Sequence, residues 1–372
     1  MIIMNLKIHN FLAFYGFEVS FSYPKKIVDS YIENEHLKGH PNFRYKKVNI
    51  IMGANASGKT SLGRMIMNAV SFIETKRFEY LTDCINNTSK KAFLSMDFIG
   101  NGEVMYNMSV SILPIKGEKY TSDQIQVSVS KVKINSRDSY ETCKARLNAE
   151  ASPAYINYTT MLNEIEPLRY CFQYPVDADG EYRLHDVKNP KVYRMIMEKI
   201  LKALDSAIDK VEPLTEVDNS FVIRMGNRSF ILKDGELTNR AFLSSGTKSG
   251  IAISDMLYAM KEEEQGFYYC DEKFSYIHSD IEKAIVSIMI EALGDNNQLF
   301  FTTHNTDMLD LPLPKHSFLF LKKDLTNKEM PITCISAATV LKKNTDSVRK
   351  AVENDLFSTA PSTDLIFELS EI

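Results

Sequence analysis

A chain of 372 residues that is 44% hydrophobic and 25% charged, with only 15 glycines and 12 prolines, can bury a large core; it is not a disordered, collagen-like or low-complexity polypeptide. Its 44 Lys and Arg stand against 48 Asp and Glu, a net charge of −4, which excludes a surface built throughout to hold phosphate backbones. Five scattered cysteines without a C-x-x-C pair support neither a zinc site nor a disulfide framework and imply reduced thiols in a cytoplasmic protein. No apolar run reaches the roughly 18 residues of a membrane span, and Asn5, Lys7 and His9 interrupt the N-terminal apolar stretch, so no membrane partner and no signal peptide are expected.

In chain order, Leu6 and Ile8 alternate with Asn5, Lys7 and His9 and predict a half-buried strand. Phe17, Val19, Phe21 and Tyr23 alternate with Glu18, Ser20 and Ser22 and predict a second, stopped by Pro24. Residues 25–47 turn polar and locally basic, through Lys25, Lys26, Arg44, Lys46 and Lys47, and read as an insertion. Val48–Met52 is a strand of the buried kind, followed by a glycine-bearing turn. The helix after that turn places Leu62, Met65, Ile66, Ala69, Val70 and Ile73 mostly at spacings of three and four.

Strands are expected at 92–98 and Val104–Ile112, joined by Gly100-Asn101-Gly102. Another carries Ile125, Val127 and Val129 and changes phase into Val132 and Ile134. Residues 135–215 read as mostly helical with a break at 174–180, and Val192, Ile196, Ile200, Leu204, Ile208 and Val211 form one helical stripe. The segment is too short for long coiled-coil arms, and its aromatics Tyr155, Tyr158, Tyr170, Phe172 and Tyr174 read as core packing, with a partner surface as the alternative. From Phe221 onward strands and helices alternate, and no internal repeat is present. The expected division is a lobe over 1–134, a helical insertion over 135–215 and an α/β lobe over 216–372.

Gly53-Ala54-Asn55-Ala56-Ser57-Gly58-Lys59-Thr60 fits the P-loop pattern, with a strand before it and an amphipathic helix after it. Its glycines let successive backbone N–H groups converge on one phosphate chain at a helix N-terminus, so Gly53, Asn55, Ser57, Gly58, Lys59 and Thr60 are the candidate ATP-binding residues. Lys59 would reach the β- and γ-phosphates, and the Thr60 hydroxyl would ligate Mg²⁺. Phe267-Tyr268-Tyr269-Cys270 is a buried strand that ends in Asp271 and Glu272. Asp271 suits the Mg²⁺ shell and Glu272 suits a general base, although a strand entering solvent has the same pattern.

Leu243-Ser244-Ser245-Gly246-Thr247-Lys248 precedes an amphipathic helix and is either an N-cap or, in its resemblance, the signature motif of ABC-type ATPases. Gln298 to Asn305 is a strand ending in a polar turn that carries His304, which resembles the switch histidine of those enzymes. The order of P-loop, signature, Asp-Glu strand and histidine is that of the ABC superfamily. Within it, Leu6-Lys7-Ile8-His9-Asn10-Phe11 resembles the start of SMC, RecF and OLD ATPase heads. The G-A-N-A-S-G-K-T loop, Asp271-Glu272-Lys273-Phe274 running to His278, and Thr302-Thr303-His304-Asn305-Thr306-Asp307-Met308-Leu309 most resemble the OLD-like AAA/ABC ATPases of bacterial anti-phage and abortive-infection systems. The resemblance covers the chain except for 25–47 and much of 135–190.

What the resemblance implies is an α/β fold: an ABC-type P-loop ATPase head with an antiparallel β lobe, a mainly parallel α/β lobe and a helical insertion. It also implies ATP and Mg²⁺ as ligands, with Ser244, Ser245 and Gly246 serving the nucleotide of a second copy, so that a homodimer or higher homo-oligomer completes two composite sites. Lys59, Glu272 and His304 would be the catalytic groups. Three departures stand out. Leu12 replaces a common basic residue, no glutamine occurs between Thr60 and Gln124 to serve as the magnesium-sensing one, and the stretch after His304 leaves no room for a Toprim nuclease. The expected role is a sensor or scaffold that controls a separate effector, a nuclease or toxin, and answers to a nucleic-acid or phage-protein trigger. The alternative is a RecF-like ATPase of DNA maintenance that binds DNA through basic patches at 44–47 and 131–137.

Overall fold

The computed structural model describes residues 1–27, 30–100, 103–149, 157–174, 187–214, 216–238, 242–262, 266–324, 326–343, 345–359 and 364–371. Asn101 and Gly102 of the expected hairpin turn, Tyr155, and the break beyond Tyr174 lie outside them. The chain divides into two compact units, one of residues 1–168 with 312–372, the other of residues 169–311.

The first unit opens with β1 (Ile2–His9), β2 (Phe17–Ser20), β3 (His36–Leu37), β4 (His40–Arg44) and β5 (Val48–Met52). Then come α1 (Lys59–Thr75), α2 (Glu79–Thr82), β6 (Ala92–Ile99), β7 (Val104–Ile112), β8 (Ile125–Lys133), α3 (Tyr140–Ala149) and α4 (Tyr158–Leu162). A five-stranded antiparallel sheet runs in the order β2-β1-β6-β7-β8. The expected phase change in β8 is present: Ile125, Val127 and Val129 are buried, Lys131 is exposed, and burial resumes at Val132 and Ile134. In the same unit β5 lies parallel to β16 (Phe318–Lys323), which pairs antiparallel with β17 (Ile332–Ser336). All five residues of β5 are buried, including Asn49, whose side-chain amide donates to the Lys46 carbonyl at 2.9 Å. The short α8 (Ala337–Val340), α9 (Val348–Glu353) and α10 (Asp364–Phe367) follow β17.

Residues 25–47 are more than a polar insertion. Leu37, Phe43 and Tyr45 join Ile2, Met4, Ile99, Met105 and Val132 in one core, where each fully buried large apolar side chain contributes about 1.5–3 kcal/mol. Lys46 and Lys47 are buried too, and their ammonium groups donate to the carbonyls of Ser20 and Glu33 at 3.0 and 2.9 Å. The basic stretch at 44–47 is thus spent largely inward. At the other expected patch, Lys131 is paired with Glu164 at 2.7 Å.

The second unit contains β9 (Tyr170–Gln173), α5 (Pro190–Leu204), β10 (Ile208–Pro213), β11 (Ser220–Met225), β12 (Arg228–Lys233), β13 (Glu236–Leu237), α6 (Ser245–Lys261), β14 (Phe267–Asp271), α7 (Ser279–Glu291) and β15 (Gln298–Thr302). Here 135–215 departs from its helical reading. Tyr170–Gln173 is a strand parallel to β14, and α5 stops at Leu204, so Ile208 and Val211 belong to a strand. The stop has a local cause: the Asp205 carboxylate accepts the Ala207 N–H at 3.0 Å, a turn that competes with another helical bond. Strands β10 to β13 form an antiparallel meander whose inner face packs with Tyr193, Met197, Leu201 and Tyr258. Gly250 lets α6 approach α5, because a Cβ there would stand 2.6 Å from Leu204 Cδ1. Strands β9, β14 and β15 run parallel, with Asp271 beside Thr302 at their C-terminal ends. Phe172 and Tyr174 are core residues, as expected of the aromatics in this stretch. All five cysteines are free thiols, and among the described residues no helix is long and apolar enough to cross a membrane.

Candidate functional site

In the first unit, β5 delivers the chain into the loop at Gly53. A Cβ on Gly53 would lie 2.4 Å from the Leu321 carbonyl oxygen and 2.6 Å from Ser57 Oγ, so only glycine passes there. Ala56 has a left-handed backbone (φ 61°), and Gly58, at φ 104°, is the N-cap of α1. The space over Gly58 is closed by Phe14 and Ile332, at 3.3 and 2.9 Å from an added Cβ. The result is a loop that curls tightly onto the start of a helix, with the Ser57 N–H bonded back to the Ala54 carbonyl at 3.2 Å. Lys59 is buried and donates to the carbonyls of Gly53 and Ala54 at 2.8 and 3.2 Å, which holds its ammonium at the centre of the curl. Asn55 is exposed, Thr60 lies in the first helical turn, and the buried Ser57 hydroxyl has no hydrogen-bond partner among the described residues.

The Asn10-Phe11 pair has a structural role here. Asn10, itself left-handed at φ 62°, donates from its side-chain amide to the carbonyls of Asn87, Lys90 and Lys91 and so fixes the turn that carries Phe14. Leu12 is held by backbone bonding to Cys84 at 2.7 Å. Gln124, the first glutamine after the P-loop, is buried and bonded to Thr121 and Pro114, and so is engaged in its own turn.

In the second unit, Asp271, Glu272 and His304 come together. Asp271 is fully buried at the end of β14 and accepts a hydrogen bond from the Thr302 hydroxyl at the end of β15. The same Thr302 oxygen accepts the Glu272 N–H at 2.9 Å, and the Thr302 carbonyl accepts it at 3.2 Å. Glu272 is thereby pinned in a left-handed conformation, φ 43°, that costs a non-glycine residue about 1–3 kcal/mol. Its Oε1 lies 2.8 Å from His304 Nε2, both side chains being partly exposed.

The turn that carries His304 is clamped from α7. Glu282 accepts from Thr303 Oγ1 at 3.0 Å and from Asn305 Nδ2 at 2.6 Å, the residues on either side of His304. Asn305 Nδ2 also reaches Ser279 Oγ at 2.9 Å, and Ser279 donates to Asp307 at 2.6 Å. Burial is the main force raising the Glu282 carboxyl above its ordinary range; the Asn305 and Thr303 bonds oppose it and Asp307 adds to it. These residues and Phe274 line an open cleft of about 420 Å³.

The third group sits at the start of α6. Ser244 is its N-cap, accepting the Thr247 N–H at 3.0 Å, so the capping reading of this motif is realised. Ser245 begins the helix, and a Cβ on Gly246 would lie 3.3 Å from the Tyr276 carbonyl in the loop after Glu272. Phe242 and Tyr276, exposed at 67% and 61%, flank this helix start. From the sequence, Asp271, Glu272, His304, Ser244, Ser245 and Gly246 carry site roles, whereas Ser279, Glu282, Thr302, Thr303, Asn305, Asp307, Phe242 and Tyr276 acquire theirs only in the structure. The available signal was the polar run Thr302-Thr303-His304-Asn305 closing an apolar strand.

With its antiparallel sheet, parallel strands and glycine loop, the chain has a mixed α/β fold that matches solved structures of SMC head domains. Two of these are the following. One is an SMC head bound to the C-terminal winged-helix domain of ScpA, 15% identical, covering 92% of this chain and 100% of that one, with a TM-score of 0.52. Another is an Smc head with an extended coiled coil bound to the C-terminal domain of ScpA, derived from Pyrococcus furiosus, 12% identical, covering 92% and 98%, with a TM-score of 0.51. No protein-family model matches the sequence, and no curated protein matches it.

Proposed function

We propose that this protein binds and hydrolyses ATP, with its nucleotide clasped by two copies of the chain. The observation that carries the reading is the Glu272–His304 contact at 2.8 Å beside a buried Asp271, on a chain whose P-loop tolerates only glycine at Gly53. Lys59 and the backbone of the 53–60 loop hold the phosphate chain. The Thr60 hydroxyl in the first unit and the Asp271 carboxylate in the second are each a hard oxygen donor of the kind Mg²⁺ takes. When bound, that ion neutralises charge on the phosphates. Glu272 orients and deprotonates the attacking water, and His304 holds Glu272 in place and donates toward the γ-phosphate. Ser245 and Gly246, at the N-terminus of the 17-residue α6, present N–H groups to the nucleotide of the second copy. The exposed aromatics Phe242 and Tyr276 beside them are of the type that interface cores use, which supports this face as the contact.

The OLD-like motifs support a role as the nucleotide-controlled sensor or scaffold of an anti-phage system, with the output belonging to a separate nuclease or toxin. The test is Glu272→Gln. It should keep ATP, stop turnover and accumulate as a dimer by size-exclusion chromatography with ATP and Mg²⁺. Affinity purification of that trapped form from phage-challenged cells should bring down the effector. Absence of any adenine-nucleotide affinity, or undiminished turnover by a monomer, overturns the ATPase reading; an ATP-trapped dimer that carries no nuclease or toxin overturns the effector reading alone.

A further inference from the structure

Two adjoining clefts in the first unit, of about 510 and 430 Å³, share Tyr23, Lys25, Ala338 and Lys342 and include none of the nucleotide motifs. Among the described residues the smaller is lined by Lys25, Lys26, Lys315 and Lys342 and by no carboxylate, on a chain whose net charge is −4. The larger adds Lys46 and one acid, Glu18, which Lys7 holds at 3.2 Å. Beneath the smaller cleft, Glu35 is also engaged, with His316 Nε2 at 2.6 Å and the Ser30 hydroxyl at 2.6 Å.

Two buried polar residues, Lys46 and Ser336, line the larger cleft, and the Lys46 ammonium is already held by the Ser20 carbonyl. Lys46 is 7% exposed, and burial pulls its pKa down, the cost of keeping a cation out of water. Ser336 lines the same cleft at 9% exposure, and its buried hydroxyl oxygen has no partner among the described residues. The walls are apolar where the lysines are not: Leu313, Pro314 and Leu341, with the Tyr23 ring lying against His316 at 4.3 Å. A concave pocket of this size with converging polar groups is the form of a small-molecule site, about 300–1,000 Å³ in general. Four cations on one cleft select a multiply charged anion. The lysines come from three separate segments and converge on one cleft, so they favour a compact polyanion over an extended phosphodiester chain.

We propose that these clefts bind a small oligophosphate of nucleotide size, at a site separate from the P-loop. Inorganic tripolyphosphate is the probe, titrated calorimetrically into the full chain carrying Lys59→Ala to weaken the P-loop, with hydrogen exchange mapped in parallel. Binding is expected to persist in that variant and to protect the segments around 23–27 and 336–343. Adding K25E, K26E and K342E, all exposed positions, should weaken it at least about tenfold while the unfolding temperature is unchanged. A nucleoside triphosphate that binds more tightly than tripolyphosphate in the Lys59→Ala background identifies a nucleotide as the source of the phosphates, and equal affinity identifies the oligophosphate alone; both uphold the site. Protection confined to 53–60, an unchanged affinity in the charge-reversed variant, or stronger competition by a short single-stranded oligonucleotide overturns it. None of these outcomes depends on whether Glu272 supports hydrolysis.

Discussion

The hydroxyl of Thr302 accepts the backbone N–H of Glu272 at 2.9 Å, across neighbouring parallel strands, and the same hydroxyl donates its proton to Asp271. One β-strand end thus orients both acids of the other. The left-handed turn at Glu272 persists because this side chain and its own carbonyl hold the amide from two directions. Replacing Thr302 by Val keeps shape but strips both bonds. Thr302→Val should cost about 1–3 kcal/mol in urea unfolding, the penalty of stranding buried polar groups, and should lower turnover. Thr302→Ser should restore both, since it returns the oxygen.

His304→Ala leaves the P-loop untouched and removes the group 2.8 Å from Glu272. ATP affinity is expected to hold while kcat falls about 100-fold or more, the scale on which a positioned acid–base group acts. Equal losses in affinity and kcat would assign His304 to substrate binding instead.

Glu282 gives a pH signature. Its folded-state pKa is raised chiefly by burial, so the native state holds its proton more tightly than the unfolded chain does. The stability it contributes is fully present below the ordinary glutamate pKa of about 4.3 and is lost as pH rises through the higher folded value. Glu282→Gln should remove that pH-dependent decline from a plot of unfolding temperature against pH. The amide retains an acceptor for Asn305, so activity should fall less than in Glu282→Ala, which releases both neighbours of His304.

At Gly53 the obstacle is backbone, the Leu321 carbonyl 2.4 Å from an added Cβ. Gly53→Ala is therefore expected to displace the loop, abolish measurable ATP binding in a fluorescent-nucleotide titration and cost about 1–3 kcal/mol. Gly39, where nothing lies within 4 Å, is the control: Gly39→Ala should leave nucleotide binding intact, although its φ of 78° carries backbone strain.

By itself the sequence determined what depends on neighbours along the chain. The buried run at Val48–Met52, the glycine loop, the three-and-four spacing of α1 and the strands ending at Asp271 and Thr302 all follow from local pattern and are all present. Only the tertiary structure decided what depends on distant pairing. Residues 196, 200, 204, 208 and 211 satisfy a helical period whether or not the helix continues, and it was the Asp205 turn with antiparallel pairing to β11 that made Ile208–Pro213 a strand. Tyr170–Gln173 carries four residues of ambiguous pattern and became a strand by lying beside β14. Lys46 and Lys47 look like surface charge until Ser20 and Glu33, far back in the chain, supply the carbonyls that take them inside. Thr302 and Glu282 acquire their roles in the same way, through partners some twenty to thirty positions away. Periodicity records which face of an element is buried, whereas the identity of what lies against that face is set only when the strands and helices meet.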